Sequence, residues 1–304
     1  MNAMTSNLSA LPRRCYKPGV ELSVVGLGGI VIADVPQTEA NETVARAVER
    51  GVNYFDVAPT YSNAEERLGP ALAPFRDHCF LAGKTEKRTA AEARIALETT
   101  LTRLRTDHLD LYQLHALSDV QKDVDVAFGK GGAMEVLLEA RRQGRVRFLG
   151  FSAHSVEAAE AAMDRFDFDS ILLPVNFAMW LRGGFGPRTV ERAKSKGMAV
   201  LALKSLARQR YRDQHDPLRK RWPKCWYEPL ADPRAQKLGV RFTLDRPITA
   251  LIPPGNAELF WRAVEIALDG RPLAPEEQAA VQRLAETSEP IFLGPTDASG
   301  ARSP

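Results

Sequence analysis

Residues 51–69, GVNYFDVAPTYSNAEERLG, decide how the rest of the chain is read. A run of β-favouring residues at 53–57 carries one carboxylate, Asp56, near its end. A phenol follows at Tyr61, across a turn that contains Pro59, and an amphipathic helical pattern begins at Ala64. Strand, loop and helix in that order make a βα unit, and the C-terminal end of its strand is where such units place chemistry.

The same alternation recurs on both sides of that stretch. Upstream, RRCYKPGVELSVVGLGG reads as a hairpin turning at Lys17-Pro18-Gly19, whose second arm leads into Val24, Val25 and a glycine pair, Gly28 and Gly29. Residues 38–50 carry apolar side chains at helical spacing and stop at Gly51. Downstream, strands are expected at 79–84, 109–115, 146–154, 170–176, 198–207 and 248–255, nearly continuous apolar runs of the kind buried on both faces. Helical patterns at 64–75, 89–106, 133–143, 156–165, 189–196, 233–245 and 257–268 separate or follow them. A last helix is expected at 275–286, opened by Pro-Glu-Glu. Counting the run at Val24 as the first strand gives eight βα units. They predict an α/β chain folded as a (β/α)8 TIM barrel, with an N-terminal β-hairpin and a C-terminal extra helix. No GxGxxG turn follows the first strand, which sets aside a doubly wound open sheet.

Composition agrees with one barrel. The chain has 304 residues, 44% of them hydrophobic, enough for a large buried core. The expected layout is a tail and the start of the hairpin at 1–15, a single barrel domain at 16–290 with a basic loop at 208–232, and a tail at 291–304. The 41 basic residues nearly cancel the 38 acidic ones, so no strong field invites nucleic acid or an anionic membrane. No apolar run is long enough to span a bilayer and the N-terminus lacks the layout of a signal peptide, so a cytoplasmic protein is expected. Cys15, Cys79 and Cys225 stand far apart without metal-ligand spacing and predict neither a disulfide nor a structural metal. The oligomeric state is left open.

The informative regularity is the position of the polar residues. Asp56, Lys84, His115, Ser152 and Asn176 each fall at or just past the C-terminal end of a different expected strand, and a barrel brings those ends to one face. A phenol with an ordinary pKa of about 10 is a poor proton donor near neutrality. Lys84 beside Tyr61 would lower that pKa, and Asp56 would keep the lysine charged and oriented. A histidine at 115 could orient a carbonyl oxygen, so the four together could protonate the alkoxide that forms when hydride arrives. Gly28 and Gly29 either permit a turn or let a cofactor approach the backbone. His154 and His78 read as polar loop residues.

Four stretches in order, GVNYFDVAPTYSNAEERLG, FLAGKT, LDLYQLHA and GRVRFLGFSAH, resemble the aldo-keto reductases, and the strand and helix order is similar over residues 20–268. The resemblance implies NADPH, or less often NADH, bound across the barrel mouth, and a small-molecule carbonyl or alcohol substrate. It gives Tyr61 the role of general acid, Lys84 and Asp56 that of the pair tuning it, and His115 that of orienting the carbonyl. It places Ser152 on the nicotinamide amide. Further cofactor contacts are expected from Asn176, from Lys204, Ser205 and Leu206 at the end of the seventh strand, and from Gly255 and Asn256 at a helix N-terminus.

The later strands depart from that pattern. Pro174 stands where the family usually has a glutamine, Ala153 where an asparagine is common, and the run Leu203-Lys204-Ser205-Leu206 where an aromatic ring often stacks on the nicotinamide. Phe177 or Tyr211 could supply that ring. Pro254 and Gly255 replace a Lys-Ser pair that clamps the 2′-phosphate, leaving Arg262 as a distant candidate. The basic, aromatic segment 208–232 reads either as a lid that brings Trp222 and Trp226 to a ligand or as a solvated loop. Two other classes remain open: a cofactor-binding regulatory protein with little turnover, and a metal-dependent barrel enzyme, which would need clustered ligands that five scattered histidines do not supply.

Overall fold

The structure is a computed structural model that describes residues 10–295. Of the tails expected at 1–15 and 291–304, residues 1–9 and 296–304 lie outside the described residues, whereas Ile291 is buried and Phe292 stacks on His154. Strands β1 (Arg13–Lys17) and β2 (Val20–Ser23) form the antiparallel hairpin. The barrel then begins with β3 (Leu27–Gly28), α1 (Gln37–Glu49), β4 (Tyr54–Asp56), α2 (Ala64–Leu72), β5 (Phe80–Thr85), α3 (Ala90–Leu104) and β6 (Leu109–Leu117). After β6 come a short α4 (Val126–Phe128), α5 (Ala133–Arg142), β7 (Val146–Ala153) and α6 (Val156–Arg165). The second half holds β8 (Ser170–Pro174), α7 (Phe177–Leu181), α8 (Pro187–Ser195) and β9 (Ala199–Leu203). Next are β10 (Ala207–Arg210), α9 (Pro217–Arg221) and β11 (Tyr227–Pro229). The chain ends in α10 (Pro233–Leu244), β12 (Ala250–Ile252), α11 (Ala257–Leu268) and α12 (Pro275–Glu286).

Eight parallel strands lie in the order β12-β9-β8-β7-β6-β5-β4-β3, with the helices outside. A parallel bridge between Val25 and Leu251 joins the first strand to the last. Gly26 N–H donates to Leu251 O at 2.9 Å and Leu251 N–H to Val24 O at 2.9 Å, so the sheet meets itself as a barrel. This is the (β/α)8 fold expected from the alternation, with its N-terminal hairpin and extra C-terminal helix. The hairpin plugs the bottom. Tyr16 is buried against Phe80, with ring centroids 4.9 Å apart, and its hydroxyl donates to Ser170 Oγ at 3.0 Å. The opposite end, where the strands finish, is left for chemistry.

Three local expectations change. The strand predicted over 198–207 stops at Leu203, because Lys204 has φ +66°, a left-handed conformation that no strand accommodates. The strand predicted over 170–176 stops at Pro174, and Asn176 caps α7 by accepting from Ala178 N–H at 2.8 Å and Met179 N–H at 3.3 Å. The basic segment is neither unstructured nor simply solvated. β10 and β11 pair antiparallel, α9 lies between them, and Trp222 is fully buried with its indole N–H on Glu258 Oε2 at 3.0 Å. Lys224 ties the segment to the turn after β3 by donating to the carbonyls of Ile30, Val31 and Ala33.

Candidate active site

At the C-terminal ends of the strands lies a cavity of about 330 Å³. Asp56, Tyr61, His115, Ser152, His154 and Lys204 reach it from the barrel, and Trp226 and Tyr227 cover it from the hairpin of β10 and β11. Lys84 sits below its floor, completely buried and ion-paired with Asp56, itself 2% exposed. Alternation along the strands builds this arrangement. Tyr54 and Asp56 on β4 face one way, as do Gln113 and His115 on β6.

Asp56 is held on three sides. Its carboxylate accepts from Lys84 Nζ, from Tyr54 OH at 3.2 Å and from Gln113 Nε2 at 3.2 Å. Lys84 also donates to Val57 O at 3.2 Å, and its Nζ lies 5.3 Å from the centre of the Tyr61 ring. Burial pulls the Lys84 pKa down, but the neighbouring charges of Asp56 and Tyr61 outweigh it and the net shift is upward. The ammonium therefore stays charged in a place where a lone lysine would not.

The phenol behaves differently from the sequence-based expectation. Burial raises the Tyr61 pKa and Lys84 pulls it back, yet the net value lies above the ordinary one rather than below it. Tyr61 is thus held protonated through the neutral range, and Lys84 is in place to stabilise the phenolate once the proton leaves. The Tyr61 and His115 rings meet edge to face, with centroids 5.9 Å apart at 84°. Burial, then the charge of Lys84, pushes the His115 pKa down to about 3, so its imidazole is neutral and can donate one N–H.

Backbone strain gathers at the same mouth. Ser62 beside Tyr61, Ala116 beside His115, and Lys204 have φ of 51°, 56° and 66°. Such conformations cost of order 1–3 kcal/mol each and persist where the surroundings hold them. Ser152 Oγ does so for Ala116, accepting its N–H at 2.7 Å. Ser62 Oγ is fixed by Asp34 Oδ1 at 2.5 Å.

Of the nine expected cofactor positions, Gly28, Ser152, Lys204 and Gly255 line the cavity. The other five are not brought to it. Gly29 is needed for packing, since a Cβ there would lie 2.8 Å from Val57 Cγ2. Asn176 uses its whole amide locally: besides capping α7, it donates to Lys204 O at 2.9 Å and Ala207 O at 2.7 Å. Ser205 and Leu206 are wholly buried, and Asn256 caps α11 by accepting from Glu258 N–H at 2.9 Å. Phe177 is in the core, Tyr211 lies under Arg219, and Arg262 faces Glu265. His154 is the reverse case. It lines the cavity, stacked on Phe292 with centroids 4.9 Å apart, and burial lowers its pKa to about 4. Its two-residue spacing from Ser152 was the available signal, because that spacing shares a strand face.

A parallel barrel whose mouth joins a buried carboxylate and ammonium to a phenol and a neutral imidazole defines a class of protein with an ionisable cluster at the strand ends. The model of the Aldo/keto reductase family matches residues 24–240, and the chain belongs to that family. It is 32% identical over 158 residues to the aldo-keto reductase YhdN of Bacillus subtilis, covering 46% of each chain. The chain spans about half the length of the curated relatives it matches, 46%, 48% and 55% in three of them. Among solved structures it resembles a putative aldo-keto reductase from Pseudomonas aeruginosa, with TM-score 0.67 and 23% identity over 88% of this chain and 99% of that one. It also resembles an aldo-keto reductase from Klebsiella pneumoniae in complex with NADPH, with TM-score 0.67 and 20% identity over 93% and 95%. At these identities the structural likeness concerns the fold. Among the described residues no helix is long and apolar enough to cross a membrane, and no cluster of three His, Cys, Asp or Glu could hold a metal.

Proposed function

We propose that this protein is an oxidoreductase that transfers hydride between NADPH and an aldehyde or ketone, with Tyr61 as the proton donor. The observation that carries this reading is the buried chain Asp56–Lys84–Tyr61, which ends at the cavity beside a neutral His115. The Klebsiella relative binds NADPH on the same fold. Gly28, Ser152 and Gly255 line the cavity, and α11 starts at its rim with the partial positive charge that suits a phosphate, so the residues present fit the cofactor. When bound, NADPH supplies the hydride.

Every other step belongs to the chain. His115 donates an N–H to the carbonyl oxygen and fixes its direction. Tyr61 gives its proton to that oxygen as charge develops on it, Lys84 stabilises the phenolate left behind, and Asp56 keeps Lys84 charged and aimed. Ser152 holds Ala116, and with it the orientation of His115. Trp226 and Tyr227 exclude water from the far side.

The test is consumption of NADPH with an aromatic aldehyde by the wild-type protein and by Tyr61→Phe. Turnover in the wild type, lost by about 10²–10⁴-fold in the variant, is expected for a general acid. Equal rates would remove Tyr61 from that role, and a wild type that never oxidises NADPH would leave a binding protein rather than a reductase.

A further inference from the structure

Two cations on the cavity, Lys224 and Lys204, take no part in the mechanism above, and Lys224 is already engaged with the carbonyls of Ile30, Val31 and Ala33. Lys204 follows β9, is 7% exposed, and lines the same cavity as Tyr61 and His115. Its ammonium lies 5.4 Å from the Trp226 ring, 5.9 Å from Tyr227 and 5.4 Å from Phe292. Among the described residues no carboxylate offsets it. Burial, and then the nearby guanidinium of Arg210, lowers its pKa to about 8. Burying a cation without a counter-ion is costly, and aromatic faces recover only part of the cost.

The placement is enforced. Lys204 holds its left-handed φ of 66° because its carbonyl accepts both Asn176 Nδ2 at 2.9 Å and Ala207 N–H at 2.9 Å. Asn176 therefore serves as a positioning residue for Lys204. The other charged groups on the cavity are already engaged. Asp56 is matched by Lys84, His115 and His154 are neutral at pH 7, and Lys224 is engaged with three carbonyls. Arg210 donates to Ile291 O at 3.3 Å and packs on Trp226. What remains unengaged is the desolvated ammonium of Lys204, on a cavity also lined by Leu172, Leu203, Ile252 and the aromatic rings.

Resting on the reductase reading, we propose that Lys204 is the counter-ion for a carboxylate on the substrate, so that the protein acts on carbonyl acids, compounds with an aldehyde or ketone and a carboxylate on one short apolar body. A carboxylate suits the site better than a phosphate. A phosphate has three oxygens to satisfy, and with Lys224 already engaged by three carbonyls the cavity offers it the ammonium of Lys204 and no guanidinium fork.

The test needs no turnover. Phenylacetate and phenylacetamide, equal in shape and different in charge, are titrated into the cofactor-free protein by calorimetry. Phenylacetate is expected to bind about tenfold tighter or more in the wild type, the scale of one charge-assisted hydrogen bond. The ratio should fall to about one in Lys204→Met and be partly kept in Lys204→Arg, with circular dichroism confirming that both fold. Equal affinity of the two probes in the wild type, or an unchanged ratio in Lys204→Met, overturns the proposal. So does inorganic phosphate displacing phenylacetate at lower concentration than phenylacetate itself needs, since the site would then belong to a phosphate. Carboxylate selectivity without NADPH oxidation by any aldehyde would sink the reductase reading and leave the carboxylate site standing. A preference for 4-formylbenzoate over 4-formylbenzamide in kcat/KM, lost in Lys204→Met, would join the two.

Discussion

Strands β4 to β6 and strands β8, β9 and β12 form opposite walls of one barrel, and they treat polar side chains in opposite ways. On the first wall, Asp56, Lys84, Tyr61 and His115 are linked through charge and ring contacts toward the cavity. On the second, Asn176 and Asn256 turn back to hold their own backbone, while Ser205 is buried out of reach. Lys204 is the exception there, and Asn176 keeps it in place. A polar residue at a strand end thus signals chemistry only when nearby N–H and C=O groups have not already claimed it.

Removing Lys84 should break this contrast most severely. Lys84→Met strands a buried carboxylate, so a loss of about 3–5 kcal/mol in stability is expected together with a fall of about 10²–10⁴-fold in turnover. Thermal melts and NADPH oxidation read the two separately. Retained turnover would show that the phenol needs no cation beneath it.

On the other wall, Asn176→Ala should cost about 1–3 kcal/mol, because the carbonyl of Lys204 loses one of its two donors and the Asn176 bonds to Ala207 O and Ala178 N–H are lost. Its effect on NADPH affinity is expected to be small. A large loss of that affinity with stability intact would return Asn176 to the cofactor.

A gentler probe of the first wall is pH. Reduction needs Tyr61 protonated, and its pKa is raised, so kcat/KM should decline only at alkaline pH, as the phenol ionises. His115, with a pKa of about 3, should add no step near neutrality. A limb centred between pH 6 and 7 that vanishes in His115→Gln would show that the imidazole is charged in the working enzyme.

The two walls also differ in how much the sequence revealed. Asp56, Lys84 and His115 interrupt long apolar runs, and an apolar strand has no structural use for such groups, so their presence there points to chemistry. Asn176 and Asn256 precede helices, α7 and α11, where an asparagine has an ordinary use as an N-cap. That competing use hid their role. The net direction of the Tyr61 pKa was equally out of reach, because the spacing shows a lysine nearby but not how deeply the ring is buried. Lys204 broke a strand pattern through a left-handed backbone that its sequence neighbours do not announce, since the hydrogen bonds enforcing it come from Asn176, the distant N-cap of α7, and from Ala207. The barrel itself was legible throughout, because apolar periodicity and glycine stops are local, whereas the hairpin of β10 and β11 draws its order from Lys224 and Trp222 reaching distant partners.

The central claim is that both walls enclose a nicotinamide site. Fluorescence titration of the wild-type protein with NADPH, and in parallel with NADH, tests it most directly. Saturable binding of NADPH, with NADH equal or weaker, is the predicted result; no binding of either would contradict the account.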